Sequence, residues 1–176
     1  TLMQHATRDQ QERFLAPMLR GEELWCQLFS EPDAGSDLAS LKTKAERDGD
    51  EFVVNGQKVW TSNAQSSEWA ILIARTNPDA PRHAGITFFV VDMATPGIDV
   101  RPLRQINGEA HFNEVFLNDV RIPAANVVGD VDDGWKVAVT TLSNERVTIA
   151  GGSGISDPDR VLTLARTLGK DTDPLF

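Results

Sequence analysis

Residues 51–63 read EFVVNGQKVWTSN, and this stretch decides how the middle of the chain folds. Its valines, phenylalanine and tryptophan are residue types that are enriched in β-strands. Asn55–Gly56 divides the stretch with a dipeptide that strongly signals a two-residue hairpin turn. A turn there would place Phe52, Val54 and Val59 together on the core face. The sequence therefore predicts a hairpin of two antiparallel strands.

The opposite face of this hairpin is predicted to carry a tryptophan. Strand alternation puts Trp60 and Ser62 on one face with Glu51, Val53 and Lys58. Full burial of such a side chain is worth roughly 2–3 kcal/mol, so an indole on a polar face should be covered. A neighbouring domain, a subunit or a flat ligand could supply the cover, and domain packing is the commonest of these.

β-Type patterns extend on both sides of the hairpin. About seven short strand-like runs are separated by turn sequences such as Asp48–Gly49 and Pro96–Gly97. Two of the runs, residues 69–75 and 86–91, are continuously apolar, which indicates that both of their faces are covered. Many strands without intervening helices predict a mainly β domain over residues 24–128, built as an antiparallel barrel or sandwich.

A helix is predicted before the β region. Thr7 and Gln10 have the spacing of a capping box. Pro17 is expected to shorten or kink the helix, and Gly21 is expected to end it. An apolar stripe should face the core, formed by Phe14, Leu15, Met18 and Leu19.

Helical spacing returns after the β region. One face of the helix in residues 134–152 should be apolar, formed by Trp135, Ala138, Val139, Leu142 and Ile149. A second helix is predicted from Ser156-Asp157-Pro158 to Gly169. We therefore expect the end of an N-terminal helical domain (1–23), a central β domain (24–128) and the start of a C-terminal helical domain (129–176). The chain is expected to be a fragment of a longer protein.

Composition narrows the class of protein. The 176 residues carry a net charge of -9, whereas a nucleic-acid surface needs clustered Lys and Arg, so no nucleic-acid partner is expected. Cys26 is the one cysteine, which favours a reducing compartment and hence the cytoplasm. No apolar run approaches the ~20 residues of a membrane span. No His and Cys spacing suggests a metal site.

Two further stretches are candidates for chemistry. The loop 30–37, SEPDAGSD, could hold a phosphate with its N–H groups and the hydroxyls of Ser30 and Ser36, although a solvated turn is the commoner structure. Glu145 and Arg146 flank the apolar stripe of the helix at 134–152, so both are expected to be partly buried. A carboxylate there would suit a general base, and a structural ion pair is the alternative.

Three stretches together resemble the acyl-CoA dehydrogenase family: residues 25–64, 112–129 and 134–152. The most specific part is Glu-Pro-x-Ala-Gly-Ser-Asp followed by Asn-Gly-x-Lys-x-Trp. The resemblance covers nearly the whole chain. It implies an α–β–α three-domain flavoprotein in which flavin adenine dinucleotide (FAD) binds against the β domain and an acyl-CoA thioester lies across the flavin.

The resemblance also implies roles for individual residues. Ser36 corresponds to a serine near the FAD phosphates and the CoA moiety. Ser143 and Arg146 correspond to an Asp-x-x-Arg pattern that contacts CoA, with Ser143 in place of the Asp. Glu145 matches the catalytic base of isovaleryl- and long-chain-type members, whereas other members carry the base on a later helix. The residues that match flavin-binding positions are Gln27, Leu28, Phe29, Ser30, Trp60, Thr61 and Ser62, with the indole against the flavin.

The implied reaction is FAD-dependent α,β-dehydrogenation of an acyl-CoA to trans-2-enoyl-CoA. Electrons would pass to an electron-transfer flavoprotein, and the full-length protein would be a homo-tetramer or dimer. The fragment alone is expected to be inactive. The alternatives are an acyl-CoA oxidase or flavin monooxygenase relative, a non-catalytic subunit of a hetero-oligomer, and a β module used only for binding.

Overall fold

The structure is a computed structural model that describes residues 1–152, 158–170 and 172. The chain divides into two compact units, Thr1–Thr140 and Thr141–Phe176, and each is described by itself. Four α-helices occur in the described residues: α1 (Leu2–His5), α2 (Arg8–Arg20), α3 (Gly134–Gly152) and α4 (Pro158–Thr167). Seven strands occur there as well: β1 (Trp25–Leu28), β2 (Lys44–Asp48), β3 (Glu51–Ser62), β4 (Trp69–Arg75), β5 (Ile86–Asp92), β6 (Ile98–Leu103) and β7 (Phe112–Pro123).

The seven strands form one sheet in the order β1-β4-β2-β3-β7-β6, with β5 paired to β4. The predicted mainly β fold with flanking helices is confirmed. Most pairings are antiparallel, but β1 runs parallel to β4 along its whole length. β3 lies between β2 and β7. The stretch quoted first therefore forms a central strand of the sheet.

The predicted hairpin at Asn55–Gly56 is wrong. β3 runs unbroken through this position, and the turn lies earlier, at Gly49 between β2 and β3, where φ is 61°. Asn55–Gly56 instead marks a shift in the register between β3 and β7. A Cβ added at Gly56 would lie 2.7 Å from Cβ of Thr43 and 2.8 Å from its Cα. The glycine therefore permits a close approach of two chain segments, which is the other common reason for glycine in a strand.

The core lies on the side of β3 that carries Phe52 and Val54, as predicted. Both are buried, and Phe52 packs edge to face on Phe89, with ring centroids 5.2 Å apart. The apolar run in β5 is buried from Ile86 to Val91, also as predicted. Cys26 belongs to this core, and burial raises the pKa of its thiol to about 11.

The capping box of α2 is confirmed. The Gln10 N–H donates to Thr7 Oγ1 at 3.3 Å, and the Thr7 N–H donates to Gln10 Oε1 at 3.0 Å. Gly21 ends the helix in the left-handed conformation, as expected. Pro17 lies inside the helix and does not end it. Of the predicted stripe only Phe14 is buried, and Leu19 is exposed.

The later helices differ in part from the prediction. In α3, Val137 and Ala138 are buried, whereas Val139 and Ile149 are exposed, so the predicted apolar face is partly wrong. α4 begins at Pro158, and the predicted start at Ser156-Asp157 lies outside the described residues. The predicted boundaries 1–23, 24–128 and 129–176 stay a prediction. None of the described helices is both long and apolar enough to cross a membrane.

Candidate functional site

Two stretches that the sequence predicts for one site lie side by side. We call residues 29–30, after β1, the first wall, and residues 60–62, at the end of β3, the second wall. The Val59 N–H donates to Ser30 O at 2.9 Å, next to the second wall. Lys58 Nζ donates to Phe29 O at 3.0 Å. The fold therefore joins two walls that are about 30 residues apart in the sequence.

Trp60 dominates the outer face of the second wall. The residue is 62% exposed, and the ring edge meets the ring of Phe112 at a centroid distance of 6.1 Å. Its φ is 61°, in the left-handed region that a bulky residue rarely adopts and that costs roughly 1–2 kcal/mol. The register between β3 and β7 shifts between Lys58 and Thr61, so Trp60 occupies a bulge. An exposed indole on strained backbone is a feature that points to function.

The side chains of the second wall point in different directions. Ser62 is exposed like Trp60, whereas Thr61 is 2% exposed. Asn113 on β7 donates to Thr61 O at 3.0 Å and to Gln65 Oε1 at 2.6 Å. Thr61 Oγ1 and Asn113 Oδ1 are buried, and neither has a hydrogen-bond partner among the described residues. The Thr61 side chain therefore faces inward, and Trp60 and Ser62 form the surface that a ligand can reach.

The first wall offers mainly its backbone. The side chains of Leu28 and Phe29 are buried, and Phe29 packs edge to face on Phe88 at 5.8 Å between ring centroids. Gln27 and Ser30 are half-buried. The predicted flavin contacts at Leu28 and Phe29 therefore cannot be made by their side chains.

A buried ion pair lies behind both walls, where the sequence predicted none. Lys58 was expected on the polar face with Trp60, and this is wrong, because its side chain is fully buried. That expectation rested on a turn at Asn55–Gly56, and because β3 runs unbroken there, strand alternation puts Lys58 on the same face as buried Phe52 and Val54. Lys58 Nζ lies 2.8 Å from Oε1 of Glu31, whose side chain is also buried. The Glu31 carboxylate in addition accepts from the backbone N–H groups of Lys42 at 2.6 Å and Thr43 at 2.9 Å.

Burial and charge act on both members of this pair. Burial lowers the pKa of Lys58 to about 8, although the negative charge of Glu31 opposes the shift. Burial raises the pKa of Glu31, but the charge of Lys58 and the hydrogen bonds to the carboxylate together outweigh this effect. The pKa of Glu31 is therefore lowered. The pair is therefore charged at neutral pH, and each charge has a partner.

The loop that contains Ser36 begins at Glu31, the residue that carries the buried carboxylate. Backbone hydrogen bonds link Glu31 to Ala34 in both directions, at 2.9 and 3.1 Å. Ser36 itself is exposed. Its hydroxyl is therefore accessible on a loop whose base is fixed by a buried group.

The remaining predicted residues lie on α3, in the unit that begins at Thr141. Ser143, Glu145 and Arg146 are all exposed. The expected partial burial of Glu145 and Arg146 is thus wrong for the chain as described. No group of three or more His, Cys, Asp and Glu side chains in the described residues could hold a metal ion.

Sequence reasoning missed Glu31, Lys58 and Asn113. Glu31 and Lys58 both belong to the motifs that carry the family resemblance. Their pairing across 27 residues was missed, because the predicted turn at Asn55–Gly56 assigned Lys58 to solvent. In an unbroken strand, the even spacing of Lys58 from Phe52 and Val54 indicates the buried face, and this is the signal that could have found it.

Residues 26–120 match the family model for the acyl-CoA dehydrogenase middle domain. The chain belongs to the acyl-CoA dehydrogenase family. The matched range contains both walls, the buried ion pair and Ser36, so the candidate site lies within the middle domain of this family.

Similar proteins agree with this assignment. Acyl-CoA dehydrogenase FadE34 of Mycobacterium tuberculosis is 58% identical over 90% of the chain, and acyl-CoA dehydrogenase IpdE1 of the same organism is 48% identical over 100%. A solved structure, the Tcur3481-Tcur3483 steroid ACAD G363A variant, superposes with a TM-score of 0.83 and 37% identity over 99% of the chain. The chain spans 22% of FadE34 and 46% each of IpdE1 and the solved chain.

Proposed function

We propose that the full-length protein containing this chain carries out FAD-dependent α,β-dehydrogenation of an acyl-CoA thioester to a trans-2-enoyl-CoA. The observation that supports this most is Trp60, an exposed indole on strained backbone beside Ser30, inside the matched middle domain. Members of this family depend on FAD. When bound, FAD supplies the hydride acceptor of the reaction.

The residues of the two walls fit a flat, polar-edged cofactor. Trp60 offers an apolar ring of the size that stacking requires. Ser30 is half-buried and Ser62 is exposed, and a serine hydroxyl can hydrogen-bond polar atoms on a ring edge. We propose that Gln27, the backbone of residues 28–30 and residues 60–62 hold the isoalloxazine, and that Ser36 lies near the phosphates and CoA.

The residues on α3 are proposed to act on the substrate. Glu145 is the proposed base that takes the α proton of the thioester onto its carboxylate. Arg146 and Ser143 are proposed to bind the CoA portion. A hydroxyl in place of the family Asp retains hydrogen-bonding capacity but removes a charge, so Ser143 is expected to contribute less affinity than an aspartate.

The test uses the purified full-length protein. We expect bound flavin with its visible absorbance, and reduction of that absorbance when a substrate acyl-CoA is added without an electron acceptor. Straight-chain, branched and steroid-derived acyl-CoA thioesters should be compared, because one similar solved structure is named a steroid ACAD. A protein that stays colourless under saturating FAD would contradict the proposal.

Two alternatives remain testable in the same experiment. Rapid oxygen consumption during turnover would favour an acyl-CoA oxidase or flavin monooxygenase relative, whereas transfer to an electron-transfer flavoprotein would favour a dehydrogenase. The Tcur3481-Tcur3483 structure is named for two chains. Co-purification with a second, related chain would therefore favour a hetero-oligomer over the homo-tetramer or dimer proposed here. The cytoplasm is the proposed location.

A further inference from the structure

We infer that the buried Lys58–Glu31 ion pair is the positioning device of the candidate flavin site, which sets the first and second walls against each other. This inference rests on the proposed function for the identity of the ligand. It concerns groups that are fully or almost fully buried and that take no part in the proposed chemistry.

The two charges lie at the inner ends of the two walls. Glu31 follows Ser30 directly, and Lys58 precedes Trp60 by two residues. The ammonium of Lys58 donates to Phe29 O at 3.0 Å and to Glu31 Oε1 at 2.8 Å. One side chain of β3 thus binds both the backbone of the first wall and the residue that follows it.

Glu31 extends the connection to the start of β2. Its oxygens accept from the N–H groups of Lys42 at 2.6 Å and Thr43 at 2.9 Å. Thr43 in turn packs against Gly56 of β3, where no larger residue fits without a shift. The carboxylate therefore closes a ring of contacts that runs from the first wall through β2 to β3 and back through Lys58.

Stability alone is a weak explanation for such a pair. Removing two charges from water costs about as much as their attraction returns, and well-packed apolar residues often serve as well. Charged hydrogen bonds have defined lengths and directions, however, and so they fix relative positions. Here they meet at the point where β3 leaves regular pairing with β7 and enters the strained conformation of Trp60. The position of the Trp60 indole therefore depends on the hydrogen bonds of Lys58, which fix the end of the regular pairing.

The first experiment needs no cofactor. In the FAD-free full-length protein, amide hydrogen exchange is compared between wild type and Lys58→Met. We expect the amides of Lys42, Thr43 and Val59 to exchange roughly 10- to 100-fold faster, the range for loss of a charge-assisted hydrogen bond. Amides in the β4–β5 pairing should not change. Equal acceleration of all these amides would show a merely structural role and would overturn the inference, as would no acceleration.

The second experiment asks whether the walls are placed for the flavin. Lys58→Met is expected to weaken FAD binding by a similar factor, roughly 10- to 100-fold, and to shift the visible spectrum of the flavin that still binds. An unchanged affinity and spectrum, alongside faster local exchange, would overturn the assignment to the flavin site. If the wild type itself binds no FAD, the proposed function fails, and the exchange result still decides whether the pair positions the walls.

Matched controls come from β2. Lys44 and Glu46 form an exposed ion pair at 2.9 Å. Lys44→Met and Glu46→Gln make the same chemical changes without touching the walls, and we expect neither the local exchange nor FAD binding to change. Glu31→Gln provides a second variant if Lys58→Met does not fold. Glu31→Gln keeps the size of the side chain and should show the same faster exchange of the local amides. Unchanged exchange in this variant would count against the inference.

Discussion

The strain and exposure of Trp60 lead to one prediction for stability and another for ligand binding. Trp60→Gly and Trp60→Ala both remove the indole, but only glycine adopts a φ of 61° without steric cost. Relief of that cost is worth roughly 1–2 kcal/mol, from which about 0.5–1 kcal/mol is subtracted for the greater freedom of unfolded glycine. In the FAD-free protein, the free energy of unfolding of Trp60→Gly should therefore be about 0.5–1 kcal/mol higher than that of Trp60→Ala.

Both variants should bind FAD more weakly than wild type. A tryptophan buries roughly 150–250 Å² when fully covered, and 62% of this residue is exposed. A flat ring that covers one face of the exposed part removes about half of that area from water, which is worth about 1–2 kcal/mol. Both variants should accordingly raise the dissociation constant for FAD about 5- to 30-fold.

Urea unfolding and flavin fluorescence titration measure the two quantities. Trp60→Phe is the control, because it keeps an aromatic ring on the same backbone and should lose less affinity than either variant. The reasoning is refuted if Trp60→Gly is less stable than Trp60→Ala, or if all three variants bind FAD as tightly as wild type.

Three further predictions follow from the same structure. Gly56→Ala should destabilise the protein by roughly 1–3 kcal/mol in urea unfolding, because its Cβ would overlap Thr43, whereas Gly35→Ala, with open space around its Cβ, should not. The folded-state pKa of Glu31 is lowered, so the stability it contributes is present above the ordinary pKa of about 4.3 and is lost as the pH falls below it. Glu31→Gln should therefore be less stable than wild type at pH 7, and the difference should shrink in unfolding measurements below about pH 4; a constant difference would contradict this. Glu145→Gln should reduce turnover of the full-length protein at least about 100-fold if Glu145 is the base, and intact turnover would place the base elsewhere.

Local chemistry explains what the sequence predicted well. The capping box of Thr7 and Gln10 involves groups three residues apart, so its geometry depends on little else. The buried strand β5 was predicted from a run of apolar residues that only a covered position tolerates. The motifs that carry the family resemblance lie within the matched middle domain, but they could not show that Leu28 and Phe29 turn their side chains into the core.

Contacts between distant segments explain the features that the sequence did not predict. Asp48–Gly49 and Asn55–Gly56 are both turn signals, and the close approach of Thr43 to Gly56 makes the second one part of a strand. Lys58 was assigned to solvent because a turn was predicted at Asn55–Gly56, and in the unbroken strand alternation places it on the buried face with Phe52 and Val54. Tertiary structure decides such positions, because a β-propensity pattern reports only that a residue fits a half-buried surface.

The burial of Cys26 makes the chain suitable for site-specific labelling. A thiol with a pKa of about 11 is almost entirely protonated at neutral pH, and its side chain is 5% exposed, so alkylating reagents react with it slowly. Cys26 is also the one cysteine in the sequence. A cysteine introduced at exposed Ser62 would therefore react first, and a probe attached there would report directly on whatever approaches the indole of Trp60.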